Sequence, residues 1–304
     1  MIIAAGLQYV DLNFLGRPHA IATGVISGAG EHALVDPGPT SCLDRLEEGL
    51  QARGVRLQEV THLLLTHIHL DHAGAAGTIV KRHPHVQVLV HERGAKHMID
   101  PGKLLESATR LYGKDMDRLW GEFLAVPAAN VRVLTGGERV SVAGRTFEVA
   151  YTPGHASHHV SYFDPASGVA FVGDTAGICI DGGYILPPTP PPDIDVEAWE
   201  QSAGTIERWE PRTLFLTHFG PSPLPPATHL QTLIDHLHTT STIARQTLAA
   251  EGSDEERALR FADHVRREMR RHMTEAQLSS YGVAAPFEML FPGLARYWRK
   301  RGSV

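Results

Sequence analysis

Residues 60–72 read Val-Thr-His-Leu-Leu-Leu-Thr-His-Ile-His-Leu-Asp-His. The near-continuous apolar run over 60–66 is the pattern of a strand covered on both faces, which requires a layered α/β architecture around it. That run stops on four metal-competent side chains within six positions: His67, His69, Asp71 and His72. A strand end presents the side chains that follow it at the sheet edge, where α/β folds place ligands. Imidazole is a borderline donor suited to zinc, and the carboxylate adds a hard oxygen. A solvated loop with chance histidines would not concentrate them at the end of a buried strand.

Composition narrows the chemistry further. The 304 residues include 19 histidines and only two cysteines, Cys42 and Cys179. Two cysteines allow at most one bridge, which excludes a disulfide scaffold or a thiolate-built zinc finger. Net charge is −6, so no global basic field draws the chain to nucleic acid. The first residues, Met1-Ile2-Ile3-Ala4-Ala5, lack a basic leader, and Gln8, Asp11 and Asn13 interrupt the apolar character. No apolar stretch approaches the ~18–20 residues of a membrane helix. The expectation is a cytoplasmic protein without membrane contact.

Along the chain, 20–27 and 32–35 read as a hairpin around Gly28-Ala29-Gly30. A helix is expected over 41–53 with Ser41 as its N-cap, another over 73–82, and a strand over 86–90. Residues 92–125 break the strand rhythm with helical patterning and read as a helical insertion. Strands resume at 131–134, 139–142, 146–151, 159–163 and 170–172. A helix over 195–209 and a buried strand over 213–216 complete a layered sandwich of about 1–225. After the proline-rich 221–226, long helical patterns over 229–250 and 254–273 form a C-terminal helical extension, 226–304. In the second of these Ala258, Ala262, Val265, Met269 and Met273 share one stripe.

Three further strand ends each stop on one metal-competent residue: Thr152-Pro153-Gly154-His155, Gly173-Asp174-Thr175 and Thr217-His218. A single strand-end histidine would be read as a satisfied, half-buried side chain. Four strand ends with the same logic point to one composite site.

On these residues the chain resembles the metallo-β-lactamase superfamily. The H-x-H-x-D-H signature stands at His67, His69, Asp71 and His72, and the later His, Asp and His match His155, Asp174 and His218. Val35-Asp36-Pro37-Gly38 is similar to the family's early strand–turn segment. The resemblance covers roughly residues 20–220 and implies an αββα sandwich with two metal ions at one edge, most simply Zn2+, with Fe or Mn as alternatives. It implies that His67, His69 and His155 hold one ion, Asp71, His72 and His218 the other, and that Asp174 bridges them. A metal-bridging hydroxide then attacks an ester-type bond, with Asp71 orienting it or taking a proton.

The resemblance is to the glyoxalase II and lactonase-like branches rather than to true β-lactamases: Asp174 resembles the bridging Asp of the former, and no Cys occupies a ligand position. The glyoxalase pattern continues after its Asp toward Gly-Cys-Gly-Arg, whereas here 176–183 read Ala-Gly-Ile-Cys-Ile-Asp-Gly-Gly. Lactonases of the family place a Tyr after the bridging Asp to assist the leaving oxygen, and Tyr184 is the nearest one here. His158 and His159 are expected to orient ligands by hydrogen bonds, or else to face solvent. Ile185 and Leu186, stiffened by the prolines of 187–192, and the insertion's Leu111, Tyr112, Leu119, Trp120 and Phe123 would roof an apolar pocket. The expected partner is a small-molecule ester, lactone or thioester. An RNA-processing phosphodiesterase is the alternative, but the run Arg266-Arg267-Glu268-Met269-Arg270-Arg271 reads as a salt-bridged helix face. A di-iron redox scaffold is disfavoured by His at position 69, and a homodimer remains open.

Overall fold

The computed structural model describes residues 1–302. Two sheets lie face to face. The first has seven strands in chain order: β1 (Ile2–Ala4), β2 (Leu7–Asp11), β3 (Ala22–Gly28), β4 (Glu31–Val35), β5 (Val60–Leu64), β6 (Gln87–His91) and β7 (Val131–Leu134). The second runs β13-β12-β11-β10-β9-β8, formed by β8 (Arg139–Val142), β9 (Arg145–Tyr151), β10 (Val160–Asp164), β11 (Val169–Phe171), β12 (Thr213–Leu216) and β13 (Gly220–Pro221). Strands β4 to β7 pair in parallel, as does β11 with β12. The hairpin expected over 20–35 is β3–β4, with Gly24 opposite Val35.

Alternation along the central strands assigns each face to its layer. In β5, Leu63 joins the outer apolar cluster while Leu64 points between the sheets; in β6, Val88 and Val90 point outward and Leu89 inward. The inter-sheet layer is completed by Val140, Phe147, Val149, Tyr162, Phe171 and Phe215 from the second sheet. The outer face of the first sheet is covered by α1 (Leu43–Gln51), α2 (Leu70–Ala73), α3 (Ala76–Arg82), α4 (Glu92–Ile99), α5 (Gly102–Tyr112) and α6 (Met116–Trp120). The second sheet is covered by α7 (Val196–Glu207), through Ala203 and Ile206, and α8 (Pro226–Leu248), through Leu230 and Leu233. This is the αββα sandwich, and the helical insertion is α4 to α6.

Several boundaries differ from the sequence reading, each for a local reason. Ser41 does not cap α1: a short 3-10 turn precedes the helix, and the Ser41 hydroxyl donates to the Leu119 carbonyl at 2.6 Å. The helix expected over 254–273 ends at Met269, as α9 (Asp254–Met269). A new helix, α10 (Glu275–Ala284), starts at Thr274, whose hydroxyl accepts from the Gln277 N–H in a reciprocal capping box. The last helix, α11 (Phe291–Lys300), packs back on α8 and α9.

The C-terminal helices share one apolar cluster with Ile178, Ile180, Tyr184, Leu186 and Trp199 of the sandwich. Buried polar ties span the same boundary. The Tyr281 hydroxyl accepts from the Ile180 N–H at 3.0 Å, the Thr189 hydroxyl donates to Leu290 O at 2.9 Å, and His229 Nε2–H donates to Ala176 O at 2.8 Å. Among the described residues no helix is long and apolar enough to cross a membrane.

Candidate metal centre

The four strand ends meet at one edge of the sandwich. His67 and His69 follow β5, Asp71 and His72 sit in α2, His155 follows β9, Asp174 follows β11, and His218 follows β12. Parallel pairing of β4 with β5 and of β11 with β12 brings their C-terminal ends to the same side.

The seven side chains form overlapping groups whose ligand atoms lie within 4.8 Å of one another: His67–His69–His155, His67–His72–Asp174 and Asp71–His72–His218. In the first group, His67 Nε2 lies 3.0 Å from His69 Nδ1 and 3.3 Å from His155 Nε2, and His69 Nδ1 lies 3.0 Å from His155 Nε2. Nitrogens 2.0–2.1 Å from a tetrahedral zinc stand about 3.3 Å apart, so this triangle matches such a donor set. In the third, Asp71 Oδ2 lies 3.3 Å from His218 Nε2 and 3.8 Å from His72 Nε2. Asp174 lies between the groups: Oδ2 is 3.4 Å from His155 Nε2, while Oδ1 is 3.3 Å from His72 Nε2 and 3.6 Å from His218 Nε2.

The outer nitrogens fix which lone pairs point inward. His155 Nδ1–H donates to Pro188 O at 2.8 Å, His218 Nδ1–H to Ala20 O at 2.6 Å, and His72 Nδ1–H to Asp36 Oδ2 at 2.8 Å. Each leaves Nε2 as the nitrogen aimed at the cluster, the one that metal-ligating histidines offer once it is deprotonated. His72 Nε2 and Asp174 Oδ1 are buried without a hydrogen-bond partner, and such groups are costly unless something positive satisfies them. Converging lone pairs, a bisected carboxylate and orphaned buried acceptors together suit a divalent cation.

Electrostatics divide the site. Burial, reinforced by His72 and His69, holds His67 well below the ordinary imidazole value; burial and His155 bring His69 to about 4. Burial also disfavours a charged His72, but Asp174, Asp71 and Asp36 outweigh it and raise His72 well above its ordinary value. Burial opposes ionisation of Asp174, yet His72 and His218 hold it well below the carboxylate range. Asp71 stands at about 2 on the same balance, burial being overcome by His72 and His218.

Asp36 is the residue whose role sequence reasoning passed over. Fully buried at the end of β4, it accepts from the Thr66 N–H at 2.8 Å, the Thr66 hydroxyl at 2.7 Å, the Thr217 hydroxyl at 2.8 Å and His72 Nδ1–H. One carboxylate thus ties β4, β5, β12 and α2 together under the site. The signal was the strand–turn segment Val35-Asp36-Pro37-Gly38, which the sequence marked without assigning its Asp a role.

His158 and His159 both turn inward. His159 is fully buried; its Nδ1 lies 3.0 Å and 3.1 Å from the Thr152 and Thr175 hydroxyls, and its ring stacks on His67 at 5.0 Å. His158 Nδ1 accepts from the Ile68 N–H at 3.5 Å. Gly173, at φ +46°, permits this packing: a Cβ there would lie 2.5 Å from Thr66 Oγ1 and 2.7 Å from His159 Nε2.

Tyr184 is placed differently from its expected substrate role. Its ring stacks on His236 at 3.7 Å inside the C-terminal apolar cluster, away from the cavity over the site. That cavity measures about 950 Å3 and is floored by His69, Asp71, Asp174 and His218. Leu111, Tyr112, Leu119 and Trp120 line it as expected. Phe123, Ile185 and Leu186 are instead buried in neighbouring clusters; from the proline segment, Pro188 and Pro190–Pro192 form the wall. Phe14, Leu15 and the α10–α11 connection close the rest.

The chain belongs to the metallo-beta-lactamase superfamily, whose family model matches residues 16–218. It is 30% identical over 168 residues to the metallo-beta-lactamase fold-containing protein ST1585 of Sulfurisphaera tokodaii, covering 54% of this chain and 62% of that protein. It is 34% identical over 179 residues to a hydroxyacylglutathione hydrolase of Synechococcus sp. (strain JA-3-3Ab), covering 58% of this chain and 52% of the relative. The match therefore spans less than two thirds of either protein. A crystal structure of a metallo-beta-lactamase family protein from Thermus thermophilus superposes with a TM-score of 0.73, covering 98% of this chain and 95% of that one at 22% identity. The shared fold thus includes the C-terminal helices.

Proposed function

We propose that the protein is a dinuclear metal-dependent hydrolase that cleaves an ester-type bond, carboxylic ester, lactone or thioester, in a small molecule. His67, His69 and His155 would hold one cation and Asp71, His72 and His218 the other. The observation that carries this reading is the Asp174 carboxylate, whose two oxygens face different histidine groups. Zn2+ suits this all-nitrogen-and-oxygen donor set, with Fe or Mn as alternatives. When bound, two such cations supply Lewis acidity at the substrate carbonyl and water acidified toward neutral pH.

The chain's own residues do the rest. Asp71, held ionised, lines the cavity floor and is set to orient the attacking water and accept its proton. The hydrogen bonds to Pro188, Ala20 and Asp36 keep three imidazoles in one tautomer through the reaction. The apolar roof excludes water around the ester. The hydroxyacylglutathione hydrolase name of the Synechococcus relative adds weight to thioesters within this class.

Zinc-reconstituted protein assayed against aryl esters, lactones, thioesters and aryl phosphodiesters tests the reading. Turnover of at least one acyl substrate, abolished by chelation and restored by metal, is expected. Turnover confined to phosphodiesters would overturn it.

A further inference from the structure

The cavity over the metal centre has two chemically distinct parts. Leu104, Leu111, Leu119, Trp120, Met289 and Leu290 form an apolar chamber. Arg93, Lys96, His97 and Lys103 line the same cavity, and the two lysines and the arginine are exposed at its opening. Arg93, Lys96 and His97 stand at i, i+3 and i+4 on α4, so one helix face presents them together. Lys103, in the first turn of α5, joins them: burial lowers the His97 pKa first, and Lys96 and Lys103 lower it further.

Three acids stand nearby without pairing with these cations: Glu92 next to Arg93, and Asp100 and Asp193, which both act on His97. Arg93 lies over the Tyr151 ring, 5.8 Å from its centroid, and among the described residues neither it, Lys96 nor Lys103 forms an ion pair. Of the acids of the cavity wall, Asp115 pairs with Arg118 at 3.1 Å, while Asp193 accepts from the Ser157 hydroxyl at 2.5 Å and keeps its charge. By contrast, Arg110 one helix face away is neutralised by Glu106 at 2.7 Å. In a chain of net charge −6, three cations at the mouth of an apolar chamber, none of them held in an ion pair, are available to meet an anion there.

We propose that the α4–α5 face is an oxyanion subsite, so that the substrate is an acyl ester or thioester with an apolar group on one side of the scissile bond and a carboxylate or phosphate on the other. The apolar part fills the chamber, and the anionic part rests on Arg93, Lys96 and Lys103. Hydrolysis adds one water across the bond: the acyl carbon gains the hydroxyl, the carbon–oxygen or carbon–sulfur bond breaks, and the leaving alcohol or thiol takes the proton. This inference rests on the hydrolase reading above.

The test compares two 4-phenylbutanoyl thioesters, of 3-mercaptopropionate and of its neutral amide, on zinc-loaded protein. The anionic thioester is expected to be favoured about tenfold in kcat/KM, chiefly through KM, with the margin shrinking as salt is added. The combined R93Q, K96Q and K103Q variant should erase that margin, while R93K with K96R and K103R should keep most of it. K81Q with K300Q, on α3 and α11, neither of which lines the cavity, should leave the margin in place. Equal kcat/KM for the two thioesters in the parent protein would overturn the subsite while leaving the hydrolase reading intact. A margin that survives R93Q/K96Q/K103Q would do the same. Binding of 4-phenylbutyl phosphate, 4-phenylbutanoate and 4-phenylbutanol, followed by calorimetry, needs no turnover. If neither thioester reacts, the hydrolase reading is judged on the wider ester and lactone panel, and the subsite on binding alone: a preference of the parent over R93Q/K96Q/K103Q for either anion upholds it, and no such preference overturns it. The phosphate and carboxylate probes separate the two anion types.

Discussion

The floor and the roof of the cavity are built on opposite rules. The floor is polar, comes from the ends of strands and a short helix, and is cross-linked by hydrogen bonds that leave each side chain one orientation. The roof is apolar and comes from stretches far apart in sequence: Phe14 and Leu15, α5 and α6, the prolines of 188–192, and the α10–α11 connection. A floor of this kind is set by chemistry and tolerates little change. A roof of this kind is set by shape, and each contributing segment can vary while the chemistry beneath it stays fixed.

The largest effect should come from the floor. Asp174→Ala removes the carboxylate that faces both histidine groups. It should cost most of the bound metal, read by elemental analysis, and about a thousandfold in turnover, the scale of several kcal/mol of Lewis-acid stabilisation. Unchanged metal content with full activity would break the distinction between floor and roof at once.

A smaller loss is expected from Asp36→Asn, which touches no substrate. Its amide cannot serve the His72, Thr66 and Thr217 donors together. Metal affinity or activity should fall about 10- to 100-fold, the usual cost of losing such a support. A metal titration that matches the parent would show that His72 needs no orienting partner.

Smaller again is Leu111→Ala in the roof. It should leave metal content alone and lower kcat/KM for long-chain acyl substrates about tenfold, the scale of a few methylene contacts, while short-chain substrates respond less. An equal loss across chain lengths would mean that α5 supports the fold rather than the substrate.

The mildest test is acidification of the metal-free protein. His67, His158 and His159 are held well below the ordinary imidazole value, by burial first. The unfolded chain therefore takes up protons below about pH 6.5 that the folded chain refuses, and stability falls with pH. His72 and His218 act oppositely: their raised values give stability below about pH 6.5 that is lost as pH rises through the folded values. The depressed set is larger, so denaturant midpoints should drop between about pH 6.5 and 4, by about 1.4 kcal/mol per unit for each net proton. A flat profile would show that the two sets cancel.

The same contrast explains what could be read in the sequence. The floor was legible because metal ligation needs few residue types, and strand ends present them in recognisable local clusters. His67, His69, Asp71 and His72 occupy one motif, and each later residue ends its own apolar run. The role of Asp36 escaped because a single buried carboxylate has no spacing pattern; that role exists only once β4, β5 and β12 are side by side. Tyr184 was assigned by proximity in sequence to Asp174, but the chain turns it into the C-terminal apolar cluster against His236. Ile185 and Leu186 were misplaced for the same reason, since a proline-rich stretch has no periodicity from which to read which side faces the cavity. The α9–α10 break was visible in the Thr274–Gln277 capping box, yet the continuing apolar stripe masked it.

The ties from Tyr281, Leu290 and His229 across to the segment following Asp174 bear on how the protein is made. On a ribosome the first motif histidines emerge long before His218, and the residues that lock down the stretch after Asp174 emerge later still. Until then that stretch has no lasting anchor, so contacts distant along the chain must close last and slowest. Metal capture should therefore be a late event in folding, following the docking of the C-terminal helices rather than synthesis of the motif that first announces it.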